Sequence, residues 1–268
     1  MPELPEVEIV ARFLASKVLG KRVDSVTVNR RDLRIEVPAD FGQLVLGREV
    51  VSVYRVAKYL AMQLDSGDIM VFHLGMSGRL LHVGAYIAEK HDHVVFTLND
   101  GCFMVFNDPR RFGLVSVMNE KSFSNMLSKS GPDPFSPAFN VDYIMGIHGN
   151  AKIKPALMRG EVVAGIGNIY ASEILFRASV LPDREIRTIS RVECEAIVAA
   201  TKNTLELAIA TGGSTIKDYR APSGDVGRFP MHFKVYNRAG KGCYQCGTAI
   251  EVDRQCGRST FFCMKCQK

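Results

Sequence analysis

The sequence predicts an α+β protein: an opening helix leads into a β-sandwich domain, a helical domain follows, and a small cysteine-bearing β-hairpin closes the chain. Three observations carry that prediction. Short β-rich runs crowd the stretch from Arg22 to about Met118, helical periodicity takes over beyond a proline-dense segment, and residues 243–266 hold two Cys-x-x-Cys pairs. A chain of 268 residues suits two domains better than one small core. With 47% apolar and 23% charged residues it is globular, and no apolar run approaches the ~18 residues of a membrane span.

The first element is an amphipathic helix, because Val7, Val10, Phe13 (or Leu14) and Val18 recur at helical spacing between Pro5 and Gly20. Val50–Val56, Ile69–Leu74, Val94–Leu98, Phe103–Phe106 and Leu114–Met118 then read as strands. Turn residues such as Ser66-Gly67-Asp68 and Asn99-Asp100-Gly101 separate several of them. The segment Gly131 to Pro137 carries three prolines and marks an interdomain hinge. Helical patterns follow near Asn140–Ile147, Lys154–Met158, Asn168–Ala178 and Ser190–Ala210, the last opened by the capping box Ser190-Arg191-Val192-Glu193 and closed at Gly212-Gly213. After a polar loop, Lys217 to Gly227, the cysteine tail is written in short strands. The expected domains are therefore 1–130 (β-sandwich), 131–215 (helical) and 216–268 (loop and cysteine hairpin).

The N-terminus is chemically unusual. A small residue after Met1 permits cytosolic removal of that methionine, which leaves Pro2 with a free secondary amine. An α-amino group titrates near ~8 against ~10.4 for lysine, so roughly 10% of it is unprotonated at neutral pH. Amine attack on a sugar C1′ gives an iminium ion that drains electrons from the neighbouring carbon, so base release and strand scission follow from one intermediate. Glu3 is placed to supply or take protons. Taken alone, the segment also reads as a lead into a helix, with Glu6 and Glu8 favourable to its N-terminal dipole.

Cys243, Cys246, Cys263 and Cys266 form two pairs separated by residues 247–262, a spacing that presents four thiolates to one structural Zn²⁺. Cys102, Cys194 and Cys256 are spare. The odd total of seven cysteines and the lack of a basic-then-apolar leader place the chain in a reducing cytoplasm. Between the pairs, Arg258 stands at a hairpin tip, either a bidentate phosphate clamp or a solvated turn residue. The net charge of +6 is compatible with a polyanionic partner.

Three interior stretches remain. Gly165-Ile166-Gly167-Asn168 is a glycine turn entering a helix, with Asn168 expected at the N-cap, so that free N–H groups face an anion. With Lys152, Lys154 and Arg159 nearby it resembles a helix–two-turns–helix element that grips a nucleic-acid backbone. Leu74 to Gly78 and Asn107 to Gly113 present Met76, Arg110 and Phe112 on glycine-rich turns. These three are either core residues or wedges that fill the space of an extruded base. His91 and His93 flank Asp92 and suit a phosphate contact or a structural turn better than a metal, while His73, His82, His148 and His232 show no partner in sequence.

Taken together, PELPEVE, LGMSG, NDPRRFG, GIGNIYASE and the terminal cysteine pairs resemble, in order and from Pro2 to Lys268, the formamidopyrimidine-DNA glycosylase family. The resemblance implies excision of oxidised purines from double-stranded DNA and cleavage of the abasic strand by β,δ-elimination. It makes Pro2 the Schiff-base nucleophile, Glu3 the acid/base that opens the deoxyribose ring, and Glu6 its support. It puts Lys58 on the phosphates flanking the lesion with a part in β-elimination, and Arg258 in δ-elimination. Met76, Arg110 and Phe112 become the void-filling trio, with Arg110 facing the orphaned cytosine, and His91, Lys154 and Asn168 become DNA contacts. A monomer without membrane attachment, working at the nucleoid, is implied as well. Leu4 stands where the sister endonuclease VIII group typically has glycine, which favours oxidised purines over the alternative of oxidised pyrimidines. A zinc-containing damaged-DNA binder without turnover is the other alternative. Two departures stand out: Arg159-Gly160 replaces the family's usual acid, and Tyr219 to Pro230, where the extruded base is expected to be read, matches poorly.

Overall fold

The computed structural model describes residues 1–214 and 227–268. It forms two compact units: Met1–Ser128 with Gly212–Gly227, and Lys129–Thr211 with Arg228–Lys268.

Unit one opens with α1 (Leu4–Val18), which begins where it does for two local reasons. Pro5 sits in the first turn with φ already set, and Glu3 and Glu6 cap each other's backbone N–H groups in a reciprocal box. Val7, Val10, Leu14 and Val18 are buried as their spacing predicts. Eight strands follow: β1 (Val23–Val28), β2 (Val50–Val56), β3 (Tyr59–Leu64), β4 (Ile69–His73), β5 (Arg79–Val83), β6 (Asp92–Leu98), β7 (Phe103–Asn107) and β8 (Leu114–Met118). They pair antiparallel into two four-stranded sheets, ordered β1-β6-β7-β5 and β2-β3-β4-β8. Phe72 of β4 meets Phe96 of β6 and Phe106 of β7 with ring centroids 6.1 and 6.3 Å apart, so aromatic packing joins the sheets into a sandwich. A short α2 (Phe41–Val45) adds Phe41 to the same core. On the outer face of the second sheet, α3 (Glu120–Leu127) covers Ala61, Ile69, Val71 and Leu114 with Phe123.

Unit two is mainly helical: α4 (Val141–Met145), α5 (Ile153–Met158), α6 (Asn168–Arg177) and α7 (Arg191–Ala210). The expected capping box on α7 is present, with the Glu193 carboxylate accepting from Ser190 N at 2.8 Å and Ser190 Oγ accepting from Glu193 N at 3.4 Å. Ile169 to Phe176 of α6 are buried on every face, the pattern of a helix that is itself core. The hairpin β9 (Glu251–Gln255) and β10 (Arg258–Phe262) completes the unit, and Val235, Ile250, Cys243 and Cys263 pack with Phe176 beneath it. The α+β class, the sandwich and the cysteine hairpin thus stand as expected. Among the described residues no helix is long and apolar enough to cross a membrane.

Candidate functional site

At the start of α1, Pro2, Glu3 and Glu6 are all buried. One Glu6 oxygen accepts the Glu3 N–H at 2.8 Å, and the other accepts both the N–H and the hydroxyl of Ser214 at 2.8 Å each. A single carboxylate therefore fixes the backbone beside Pro2 and ties it to the segment beyond α7. Nothing in the sequence signalled Ser214. Next to it, Glu8 accepts from Arg55 at 2.9 Å, and the Arg55 side chain keeps only 7% exposure. Arg55 lies at the end of β2, so this pair docks the β2–β3 hairpin on the helix.

Lys58 stands in the two-residue tip of that hairpin, after Ala57 in the left-handed region at φ +54. On the adjoining strand, burial, then Arg34, then Lys58 push the His73 imidazole down to a pKa of about 4. Its Nδ1 accepts from Gly75 N at 3.0 Å, which an imidazolium cannot do. His73 therefore has a partner after all, one that its neighbour's backbone supplies.

Sheet topology brings the Met76 loop and the Arg110–Phe112 loop together. β4 runs into the first and β8 out of the second, and His73 pairs with Leu114. β5 and β7 bound their other ends, where Arg79 pairs with Asn107. Close approach needs glycine: a Cβ on Gly75, at φ +59, would lie 2.4 Å from the Phe112 carbonyl carbon. The fully buried Asp108 then organises both loops, accepting from Ser77 Oγ at 2.6 Å and Gly113 N at 2.8 Å, while Ser77 Oγ accepts from Arg110 N at 3.1 Å. Held this way, Phe112 is 47% exposed with the Arg110 guanidinium 5.0 Å from its ring centre, and Met76 is half-buried. Phe112 and Arg110 are therefore presented outward rather than packed in a core. His93 donates to the Asp108 carbonyl at 2.7 Å and is structural, whereas His91 lines a concavity beside it.

In unit two, Lys154 is 1% exposed, and its ammonium donates to Asn168 Oδ1 at 2.6 Å and Thr260 Oγ1 at 2.9 Å. Asn168 in turn donates to the Ser259 carbonyl at 3.0 Å. Two helix ends and the hairpin are thereby knotted at one point. The expectation that Asn168 is the N-cap is corrected by this geometry. Gly167, extended at φ −132, takes the cap position and Asn168 is the first helical residue, because its carboxamide is engaged by Lys154 and Ser259 instead of its own helix. Arg258 is exposed at the hairpin tip, where Cys256 and Gly257 both adopt positive φ. A further buried carboxylate, Glu173, collects the N–H groups of Lys234, Val235 and Tyr236 and braces the turn before the cysteines. No sequence signal pointed to it.

The four expected cysteine sulfurs lie within 4.8 Å of one another, with Cys243–Cys266 at 3.9 Å and Cys246–Cys263 at 3.5 Å. Disulfides would bring sulfurs to ~2 Å, whereas a tetrahedron of ~2.3 Å Zn–S bonds has edges of about 3.8 Å. The donor set fits one structural Zn²⁺. No other group of three or more His, Cys, Asp or Glu side chains with metal-binding geometry occurs among the described residues.

Residues 1–115 match the model of the formamidopyrimidine-DNA glycosylase N-terminal domain, and residues 130–220 match the H2TH domain of the same glycosylase. The chain belongs to the formamidopyrimidine-DNA glycosylase family. Among curated members, the formamidopyrimidine-DNA glycosylase of Wolbachia sp. subsp. Brugia malayi is 43% identical over 270 residues, and that of Azorhizobium caulinodans 40% over 293, each comparison covering 100% of both chains. Among solved structures, the MutM (Fpg) protein of Thermus thermophilus superposes with a TM-score of 0.89 at 34% identity, covering 99% of this chain and 98% of that one. A Lactococcus lactis Fpg complexed with abasic-site DNA gives a TM-score of 0.90 at 29% identity, with 99% of each chain covered. The family's motifs fall on the elements just described, with the N-terminal motif opening α1 and GIGNIYASE leading into α6. Of the Lys217–Gly227 loop all but Gly227, and with it most of Tyr219 to Pro230, lies outside the described residues.

Proposed function

We propose that this chain is a bifunctional DNA repair enzyme that flips oxidised purines such as 8-oxoguanine and formamidopyrimidines out of duplex DNA, excises them, and cleaves the abasic strand by β,δ-elimination. The observation that carries this reading is the N-terminal corner. Pro2 heads a helix whose first turn is fixed by Glu6 rather than left to fray, so an amine released by loss of Met1 has a defined position.

In this mechanism the Pro2 nitrogen forms a bond to C1′ as the glycosidic bond breaks and the base leaves protonated. Glu3 handles the proton that opens the sugar ring, and the resulting iminium acidifies the neighbouring carbon so that the 3′-phosphate and then the 5′-phosphate depart. Lys58 and Arg258 contact the departing phosphates, and Met76, Arg110 and Phe112 occupy the space of the extruded nucleotide. His91, Lys154 and Asn168 hold the strand. Zinc supplies folding energy to the hairpin and takes no part in a step. Support comes from curated relatives named formamidopyrimidine-DNA glycosylase and from a Lactococcus lactis Fpg mutant solved with Fapy-dG-containing DNA. A monomer in the reducing cytoplasm, acting on the nucleoid, suits free cysteines throughout the chain.

The test is borohydride trapping on duplex with one 8-oxoguanine opposite cytosine, using zinc-loaded protein whose mass shows Met1 removed. The native chain gives a covalent band, Pro2→Gly gives none, and Glu3→Gln loses the band on the intact lesion. Absence of a band from the native chain, on this lesion and on an abasic site alike, would replace the enzyme with a damaged-DNA binder. Faster turnover of thymine glycol would move the reading to oxidised pyrimidines.

A further inference from the structure

A concavity of about 420 Å³ in unit one is walled by cationic and imidazole side chains: Arg30, Lys90, His91, His93 and Arg111, with Asn29. That is room for a phosphate group and several waters, at about 30 Å³ each. The acid in its wall, Asp92, is buried and already accepts from Asn107 Nδ2 at 2.8 Å and Glu89 N at 2.9 Å. Two exposed carboxylates flank the wall in sequence, Glu89 beside Lys90 and Asp32 beyond Arg30, and Asp32 is the one that engages its arginines. It takes the Arg30 guanidinium on both oxygens, with Nη2 at 3.0 Å from Oδ2, and the same Oδ2 also pairs with Arg111 Nη1. One carboxylate thus occupies two arginines of the wall.

The backbone makes this a fixed arrangement. Asn29 N and Arg30 N donate to the His93 carbonyl at 2.9 and 3.3 Å, and Arg34 N donates to the Gly113 carbonyl at 3.1 Å. The segment carrying Asp32 is therefore stitched to both the His91 turn and the Arg110–Phe112 loop. Arg111, at φ +58, carries its guanidinium to Asp32.

Resting on the duplex-binding reading above, we propose that Arg30, Lys90 and Arg111 form an additional phosphodiester seat beside the Arg110–Phe112 loop, and that Asp32 is the internal anion a duplex phosphate displaces. Chemically, a phosphate offers the same forked acceptor pattern as the carboxylate it replaces. An exposed carboxylate makes a weak competitor, since ion pairs at this exposure contribute little and are screened by salt. It restrains binding to any duplex without preventing it.

Fluorescence anisotropy with undamaged duplex, between about 50 and 200 mM salt, tests the seat on the full zinc-loaded chain. Asp32→Asn is expected to bind about three- to fivefold tighter. Its plot of log K against log salt is expected to steepen by about 0.9, and that of Lys90→Ala to flatten by about 0.9. Asp24→Asn, which removes an exposed acid paired with Arg22 outside the concavity, should leave both quantities unchanged. Unchanged or weaker binding by Asp32→Asn overturns the proposal, as does an equal gain from Asp24→Asn. Thermal melts matching the native chain keep these readings free of folding effects. A native chain that binds duplex without salt dependence sinks the duplex-binding reading itself.

Discussion

Burial, Arg34 and Lys58 hold the His73 imidazole neutral down to a pKa of about 4, well below its ordinary range. The unfolded chain takes up that proton first as pH falls below about 6.5, so stability is lost between about pH 6.5 and 4. Chemical denaturation of the native chain at about pH 7 and pH 5 should show it losing about 2 kcal/mol that His73→Gln does not lose. Gly75→Ala makes a sharper demand, because it combines a positive φ with a backbone contact at 2.4 Å. It should lower the melting temperature by several degrees and reduce activity, by pushing apart the loops that carry Met76 and Phe112. At this scale the sequence was legible where one residue type at one spacing permits one chemistry, as with the paired cysteines. Asn168 was misplaced by one position because N-cap statistics cannot see that a lysine fourteen residues away claims its carboxamide.

Among the elements, α7 could be read from its capping box and terminal glycines because both signals are local. Ser190→Ala should cost about 1 kcal/mol in denaturant titration. By contrast, α2 has five residues and α3 eight, too few for periodicity to rise above a β-rich background. The cysteines flanking the hairpin β9–β10 fit one structural Zn²⁺, and through Thr260 and Ser259 the hairpin positions Lys154 and Asn168. Zinc removal by a strong chelator should therefore open the chain to trypsin at Arg254 and Arg258, leave α7 resistant, and weaken duplex affinity at least tenfold. Retained affinity in the stripped protein would separate the hairpin from the grip on DNA.

For the molecule as a whole, duplex binding should draw on cations of both units, so Lys58→Ala and Arg258→Ala should each reduce the salt slope by about 0.9 in the same anisotropy assay. The family was legible because its motifs are scattered along the whole chain in fixed order. The ties that make those motifs a site were not, since they join residues far apart: Ser77 to Asp108, Lys154 to Thr260, Glu6 to Ser214. Any hydroxyl could have met those partners. The last of these ties has a consequence for biosynthesis. Glu6 leaves the ribosome 208 residues ahead of Ser214, so for most of translation its carboxylate lacks the Ser214 half of its grip. The corner closes only once Ser214 has been made, and until then the N-terminus stays open to the aminopeptidase that the proposed mechanism needs to uncover Pro2. On the proposed mechanism, assembly order thus schedules the exposure of the Pro2 amine before the carboxylate grip beside it is complete.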